Sequence, residues 1–335
     1  MPAAPPLIDA FGRVVSSLRL SVTDRCDMRC VYCIGGGTRF VPRAGILTLE
    51  ELERLVRVFM GFGVRRVRIT GGEPLLRRGV MRLFRAVSRH LVAGLLDELT
   101  LTTNGSQLAR YAAELAECGV RRVNVSLDSL DPDRYGAITR GGSLAAVLNG
   151  IDAAQNAGLA VKINTVALKG LNETDIAGLL RFAHGRGMAL TVIEVMPMGD
   201  IDVDRAAQFV PMAAIRERLC REFTLEPVAE TSGGPARWVR VTETGGKLGF
   251  ISPISARFCA GCDRVRVTCS GLLHPCLGRD FAVDLRAPLR QFPGDDAPTS
   301  AAIRRAVLLK PHGHAFSADA LNRIQVTRPM NVTGG

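Results

Sequence analysis

From residue 18 onward, apolar and polar positions switch between two periods. LRLSV (18–22) carries the period-two pattern of a strand. Thr48-Leu49-Glu50-Glu51 then forms a capping box, and Leu52, Leu55, Val56 and Phe59 follow at helical spacing. The exchange repeats, with strands predicted over 64–70, 99–104, 121–128, 161–168 and 189–197. Helices are predicted between them near 79–93, 107–118, 143–157 and 174–186. Six strand–helix repeats with short connections imply an α/β fold, a parallel sheet with right-handed crossovers. Eight would complete a TIM-like barrel, so six predict a partial, open (β/α)6 barrel. The rhythm stops near Gly199, dividing the chain into 1–199 and 200–335. The second part is expected to hold a helix near 211–222, a Gly-rich hairpin-like stretch (233–251), a helix near 299–309 and a tail ending in Gly334-Gly335.

Each predicted strand ends in polar or reactive residues. A cysteine loop follows the first, TGGEP (70–74) the second, TTNG (102–105) the third and SLDS (126–129) the fourth. Lys162 and Asn164 lie on the fifth, and MPMG (196–199) follows the sixth. In (β/α) barrels the C-terminal strand ends build the active site, so these segments are expected to share one.

The cysteines change the picture most. Seven of nine lie in two tight groups, which argues for metal binding rather than a disulfide framework. Cys26, Cys30 and Cys33 are spaced C-x3-C-x2-C. Structural zinc would need a fourth donor, from His90 or Cys118. A 4Fe–4S cluster held by three thiolates would keep one iron open. In the second group, Cys259 and Cys262 are followed by Cys276, and Cys269 or His274 could complete a zinc tetrahedron. Arg264 and Arg266 alternate on a predicted strand, on one face, with Val265, Val267 and Cys269 on the other. That pattern favours core over ligand for Cys269.

The cysteine triad after the first strand, with GGEP after the second, resembles the radical S-adenosylmethionine (SAM) superfamily. The second triad, the CDRVR segment and the terminal Gly-Gly narrow the resemblance to the GTP 3′,8-cyclases of molybdenum cofactor biosynthesis, from about Leu18 to Gly335. The resemblance implies two 4Fe–4S clusters, on Cys26, Cys30 and Cys33 and on Cys259, Cys262 and Cys276. The second lies in a C-terminal extension that closes the barrel. It implies SAM contacts at Tyr32, Gly72, Glu73, Ser126 and Met196, with Gly71 and Gly72 admitting the ligand and Glu73 accepting from its ammonium. It implies GTP contacts at Arg19, Arg68, Thr102, Lys162, Arg264, Val265 and Arg266, and catalytic roles for Arg264, Arg266, Gly334 and Gly335. The implied reaction takes hydrogen from C3′ of the ribose, joins C3′ to C8 of guanine and finishes with a reduction. A flavodoxin- or ferredoxin-like electron donor, a downstream cyclic pyranopterin monophosphate synthase and a homodimer are the implied partners.

Charge fits this reading. With 43 Lys plus Arg against 32 Asp plus Glu, the formal net charge is +11, which suits an anionic partner. GGG at 35–37 lacks the lysine of a P-loop, so converging arginines would hold a triphosphate. A zinc protein binding nucleic acid would want stacking surfaces, and 3 Tyr, 13 Phe and 1 Trp supply few. A peptide-modifying radical SAM enzyme would explain both cysteine groups but not CDRVR or the terminal glycines. MPAAPPLIDA does not read as a signal peptide, and no apolar run is long enough to span a membrane. A cytoplasmic, reducing compartment is therefore expected.

Overall fold

The structure, a computed structural model, describes residues 5–228 and 234–334. Six parallel strands form its centre: β1 (Ser17–Ser21), β2 (Arg66–Thr70), β3 (Glu98–Thr103), β4 (Arg122–Ser126), β5 (Ala160–Ala167) and β6 (Ala189–Glu194). Their helices are α1 (Leu49–Gly61), α2 (Val80–Val92), α3 (Leu108–Glu117), α4 (Pro132–Thr139), α5 (Leu144–Asn156) and α6 (Ile176–Gly185). The capping box of α1 is present: Glu51 N–H donates to Thr48 Oγ1 at 3.1 Å, and Thr48 N–H to Glu51 Oε2 at 2.7 Å. Leu52, Leu55, Val56 and Phe59 are all buried, which orients α1 on the sheet. The short α4 went unread in the hydrophobic pattern. Its signal was Asp131-Pro132, an N-cap whose carboxylate accepts from Arg134 N–H and a proline at the first helical position.

The C-terminal region continues the same sheet through β7 (Leu225–Pro227), β8 (Arg237–Val241), β9 (Lys247–Ile251), β10 (Arg264–Val267), β11 (Leu272–His274) and β12 (Val283–Asp284). The order is β12-β11-β10-β1-β2-β3-β4-β5-β6-β9-β8-β7. β10 lies parallel to β1, and β9 parallel to β6. The expected closure of the barrel is corrected here. The extension lengthens both edges of the sheet, and among the described residues β7 and β12 do not pair. The pairing accounts for this: the free edge of each added parallel strand, β10 or β9, is taken by an antiparallel neighbour, β11 or β8, and not by the opposite edge of the sheet. Glu194 fastens the two regions, accepting from Met212, Ile254 and Ser255 N–H at 2.9–3.1 Å.

Register sets the interior. Arg19 is opposite Arg266 on one side and Arg68 on the other, so three guanidinium stems stand in one row across β10, β1 and β2. Leu18, Leu20, Val265 and Val267 point the other way into the core. No helix among the described residues is long and apolar enough to cross a membrane.

Candidate functional site

Two cavities adjoin inside the strand ends, sharing Asn164, Ile193 and Met196 on their walls. Cys26, Cys30 and Cys33 all line the first, with Tyr32, Gly72, Ser126 and Gly334. Cys259, Cys262 and Cys276 all line the second, with Arg19, Arg68, Lys162, Arg264 and Arg266. The loops that carry the triads thus meet the sheet next to each other, because β10 returns beside β1.

The proposed fourth zinc donors are elsewhere. Cys118 is buried in the main core, and His90 Nε2 lies 3.5 Å from Glu53 Oε1 on α1. Cys269 is fully buried, and His274 bonds Phe281 O through Nδ1; neither lines either of these two cavities. Among the described residues, no three His, Cys, Asp or Glu side chains stand close enough to hold a single metal ion. Zinc would draw its sulfurs to about 2.3 Å from one centre, whereas the irons of a cubic cluster each take their own thiolate.

Burial pushes the first triad's thiols up, Cys26 to about 11 and Cys33 to about 12, with Cys30 well above its ordinary value. Three thiolates there call for a cationic centre, which deprotonates its coordinating thiols. Cys262 differs. Burial raises it, but Lys310 and Arg264 outweigh burial and bring it down to about 6. Each triad turns three sulfurs to one cavity, the donor set of a cluster that keeps one iron open. Polar atoms without partners also line the cavities: Thr102 Oγ1 and Asn164 Oδ1 in the first, and Arg264 Nε, Arg266 Nε and both His314 ring nitrogens in the second. Buried polar groups are satisfied in nearly all proteins, so these atoms suit polar ligands.

The arginine row carries strong mutual repulsion. Burial, then Arg266, Arg68 and Arg264, hold Arg19 well below its usual value. Arg68 and Arg266 fall to about 10, chiefly by burial. Lys162 falls to about 7, by burial and then Arg68 and Arg122, with its ammonium 5.7 Å from the Trp238 ring centroid. Such a cluster is stabilised by a polyanion among the guanidinium forks.

Four expectations change. Glu73 does not line the cavity. It is fully buried, accepting from Leu75 N–H, Thr103 Oγ1 and Asn104 N–H at 3.0, 2.9 and 2.7 Å, so it braces two strand-end loops. Gly71 and Gly72 line the cavity, but a Cβ on Gly72 would overlap Arg25 O and come within 2.8 Å of Asp24 O. Glycine is needed there for the close approach of the cysteine loop. Thr102 lines the first cavity rather than the second. Val265 packs in the core, as the alternation of β10 requires, and does not line the second cavity. Gly334 reaches the first cavity at φ +65°, and Gly335 lies outside the described residues.

Residues 20–183 match the Radical SAM superfamily, and residues 188–316 match the family described as Molybdenum Cofactor Synthesis C. The chain is 60% identical over 331 residues to a GTP 3′,8-cyclase of Rhodopseudomonas palustris, covering 98% of this chain and 96% of the relative. The chain belongs to the GTP 3′,8-cyclase family. A second GTP 3′,8-cyclase, of Nitrobacter hamburgensis, is 59% identical, with 98% and 96% covered, and one of Mesorhizobium japonicum is 57% identical, with 98% and 99% covered. The crystal structure of Streptococcus suis SuiB bound to S-adenosylmethionine shares the fold of this cyclase-family chain, at TM-score 0.60 and 16% identity, covering 96% of this chain and 78% of SuiB.

Sequence reasoning missed several residues of this cyclase-family site. Lys310, nearly fully buried, donates from Nζ to Arg264 O and Pro275 O, both at 2.7 Å, and lies 3.4 Å from Cys262 Sγ. It clamps the two arms of the second triad. His314, Phe258 and Trp238 complete the second cavity. The run KPHGH (310–314) was the available signal, two histidines and a lysine outside any helical or strand period.

Proposed function

We infer that this chain is a radical SAM enzyme that converts GTP to 3′,8-cyclo-7,8-dihydro-GTP, the first step of molybdenum cofactor biosynthesis. One observation carries the reading: the Arg266–Arg19–Arg68 row and the second cysteine triad line a cavity contiguous with the one holding the first triad. When bound, an iron–sulfur cluster with SAM supplies a carbon-centred radical able to take hydrogen from an unactivated C–H bond.

The chain's own residues bind, orient and shield. Cys26, Cys30 and Cys33 would hold the first 4Fe–4S cluster, and Cys259, Cys262 and Cys276 the second. SAM would lie along Tyr32, Gly72, Ser126 and Met196, in the cavity that residues 1–199 mostly build. The triphosphate would lie among Arg19, Arg68, Arg264 and Arg266, with Lys162 adding charge near neutral pH. Fixing the ribose toward the first cavity and the guanine toward the second brings C3′ and C8 together, a proximity effect that can be worth several orders of magnitude in rate. The shared wall at Asn164 and Met196 is where these atoms would meet. The C-terminal region, 200–335, forms the second side of the chamber and keeps water from the reacting atoms. A flavodoxin- or ferredoxin-like protein would deliver electrons, and a cyclic pyranopterin monophosphate synthase would consume the product. The remaining elements of the reading are a cytoplasmic location and a homodimer.

The test is an anaerobic reaction with GTP, SAM and dithionite. A product isomeric with GTP and separable from it by chromatography, formed with 5′-deoxyadenosine, is expected, because the hydrogen lost from C3′ is balanced by the one gained in the final reduction. SAM cleavage without any guanine-containing product would overturn the reading.

A further inference from the structure

Residues 325–334 run as a strap from the Cys276 loop, which borders the second cavity, to the wall of the first, which Met330, Asn331 and Gly334 line. Gln325 and Val326 N–H donate to Pro197 O at 3.3 Å, and Gly199 N–H to Val326 O at 2.8 Å, fixing the strap to the loop after β6. Arg328 then donates to the backbone of 276–280: Nη1 to Arg279 O at 2.6 Å, and Nη2 to Cys276 O at 3.3 Å and to Leu277 O. Asp280 Oδ1 is 3.3 Å from Nη1. Three residues later, Asn331 Nδ2 donates to Asp24 O at 2.7 Å, and its backbone N–H is directed at the Cys33 sulfur. Three further on, Gly334 rests against β2, where a Cβ would overlap the Thr70 hydroxyl. Within seven residues the strap touches the Cys276 loop, the Cys33 loop and the wall of the first cavity.

We propose that Arg328 is a positioning residue that makes the order of the second cavity set the placement of Asn331 and Gly334 in the first. The inference rests on the cyclase reading and deepens it. Leu277 and Gly278, in the loop that Arg328 holds, line the second cavity, so an occupant there orders the carbonyls that Arg328 reads. A planar fork reading three carbonyls at once tolerates little loop movement. A buried guanidinium that loses acceptors bears the cost of unsatisfied charge, so it moves with the loop rather than letting go. Arg328 has only 9% exposure, so water does not replace those acceptors readily. The strap follows, because one helical turn, Met330–Thr333, joins Arg328 to Gly334.

The experiment compares wild type, Arg328→Gln, Arg328→Lys and Asn331→Ala, prepared anaerobically with iron and sulfide counted. Amide hydrogen exchange over 325–333 is followed with and without GTP, and the ratio of 5′-deoxyadenosine to cyclised nucleotide is measured. In wild type, GTP is expected to slow exchange across the strap. In Arg328→Gln, GTP should still bind while that protection is lost, and the ratio should rise on the order of tenfold, as expected for a small misplacement near reacting atoms. Arg328→Lys should restore part of both. Asn331→Ala, which leaves the Cys276 loop untouched, should raise the ratio at unchanged GTP affinity. Arg328→Gln with wild-type protection and ratio would overturn the proposal. So would loss of the second cluster in both Arg328 variants with Asn331→Ala normal, which would make Arg328 a support of that loop alone. Absence of cyclised product from wild type would overturn the cyclase reading instead, and the exchange measurement, which needs no turnover, would still decide the strap.

Discussion

The Tyr32 hydroxyl donates to Asp128 Oδ2 at 2.7 Å, tying the first cysteine loop to the end of β4. Asp128 Oδ1 in turn accepts from Val166 N–H at 2.8 Å and Thr165 Oγ1 at 3.3 Å, so one buried carboxylate joins the loop to two strands. Burial pushes that carboxyl from 3.8 up to about 6. A folded-state value above the unfolded one means that the native protein binds the extra proton between these limits, so stability falls as pH rises from about 4 to 6. Asp128→Asn should flatten that part of the profile in thermal denaturation. Tyr32→Phe should weaken SAM binding by about tenfold or more at constant iron content, since hydrogen bonds to charged groups contribute about 1.5–3 kcal/mol. Equilibrium dialysis with labelled SAM checks it, and unchanged affinity would separate this bond from cofactor binding.

GTP affinity should fall as pH rises through about 7. Lys162 sits near that value in the free protein, because burial and neighbouring arginines favour its neutral form. A bound triphosphate raises it, so binding takes up a proton at higher pH. Arg in place of Lys162 stays charged throughout and should remove the dependence, whereas Lys162→Met should weaken binding most at low pH. Calorimetry at pH 6 and pH 8 distinguishes the two.

Serine at Cys26, Cys30 or Cys33 should lower iron from about eight to about four per chain and abolish SAM cleavage. The second triad sits on its own cavity wall and is clamped separately by Lys310. Loss of both cluster signals together in a folded protein would contradict two independent sites.

Gly334→Ala should remove most cyclisation and leave both clusters. The residue stands at φ +65°, in the left-handed region that side chains avoid, and faces the Thr70 hydroxyl without room for a methyl group. Iron content and product yield measure the two effects separately, and full activity would make the tail dispensable.

Cys269→Ala should keep the iron of both clusters and the cyclase activity. Cys269 is fully buried off the cavity wall, and its backbone carbonyl accepts from Leu47 N–H at 2.8 Å. As a small buried hydrophobe its truncation should cost under about 2 kcal/mol. A changed spectrum of the second cluster would reassign it as a ligand.

Local pattern was enough to read the six central strands, five of their helices, the α1 cap and the two cysteine triads, because period, capping and ligand spacing are short-range properties of the chain. The alternation of Arg264 and Arg266 against Val265 and Val267 likewise follows from strand geometry, but β10 ends at Val267, and Cys269 is buried in the turn that follows rather than by continued alternation. Pairing partners are another matter. That β10 returns to β1 and stands Arg266 beside Arg19 depends on residues about 250 positions apart, whose register is set by side chains packing across the sheet. The same holds for Glu73, whose carboxylate meets donors from β3 and the following loop, and for Gly72, whose missing side chain answers to Arg25 rather than to a ligand. Lys310, His314 and Arg328 belong to segments without period, and their roles arise only where the folded chain brings distant carbonyls, sulfurs and cavity walls to them. Short-range chemistry is written in the order of residues, whereas the charge row, the shared wall and the strap exist only once long-range packing has chosen which strands stand side by side.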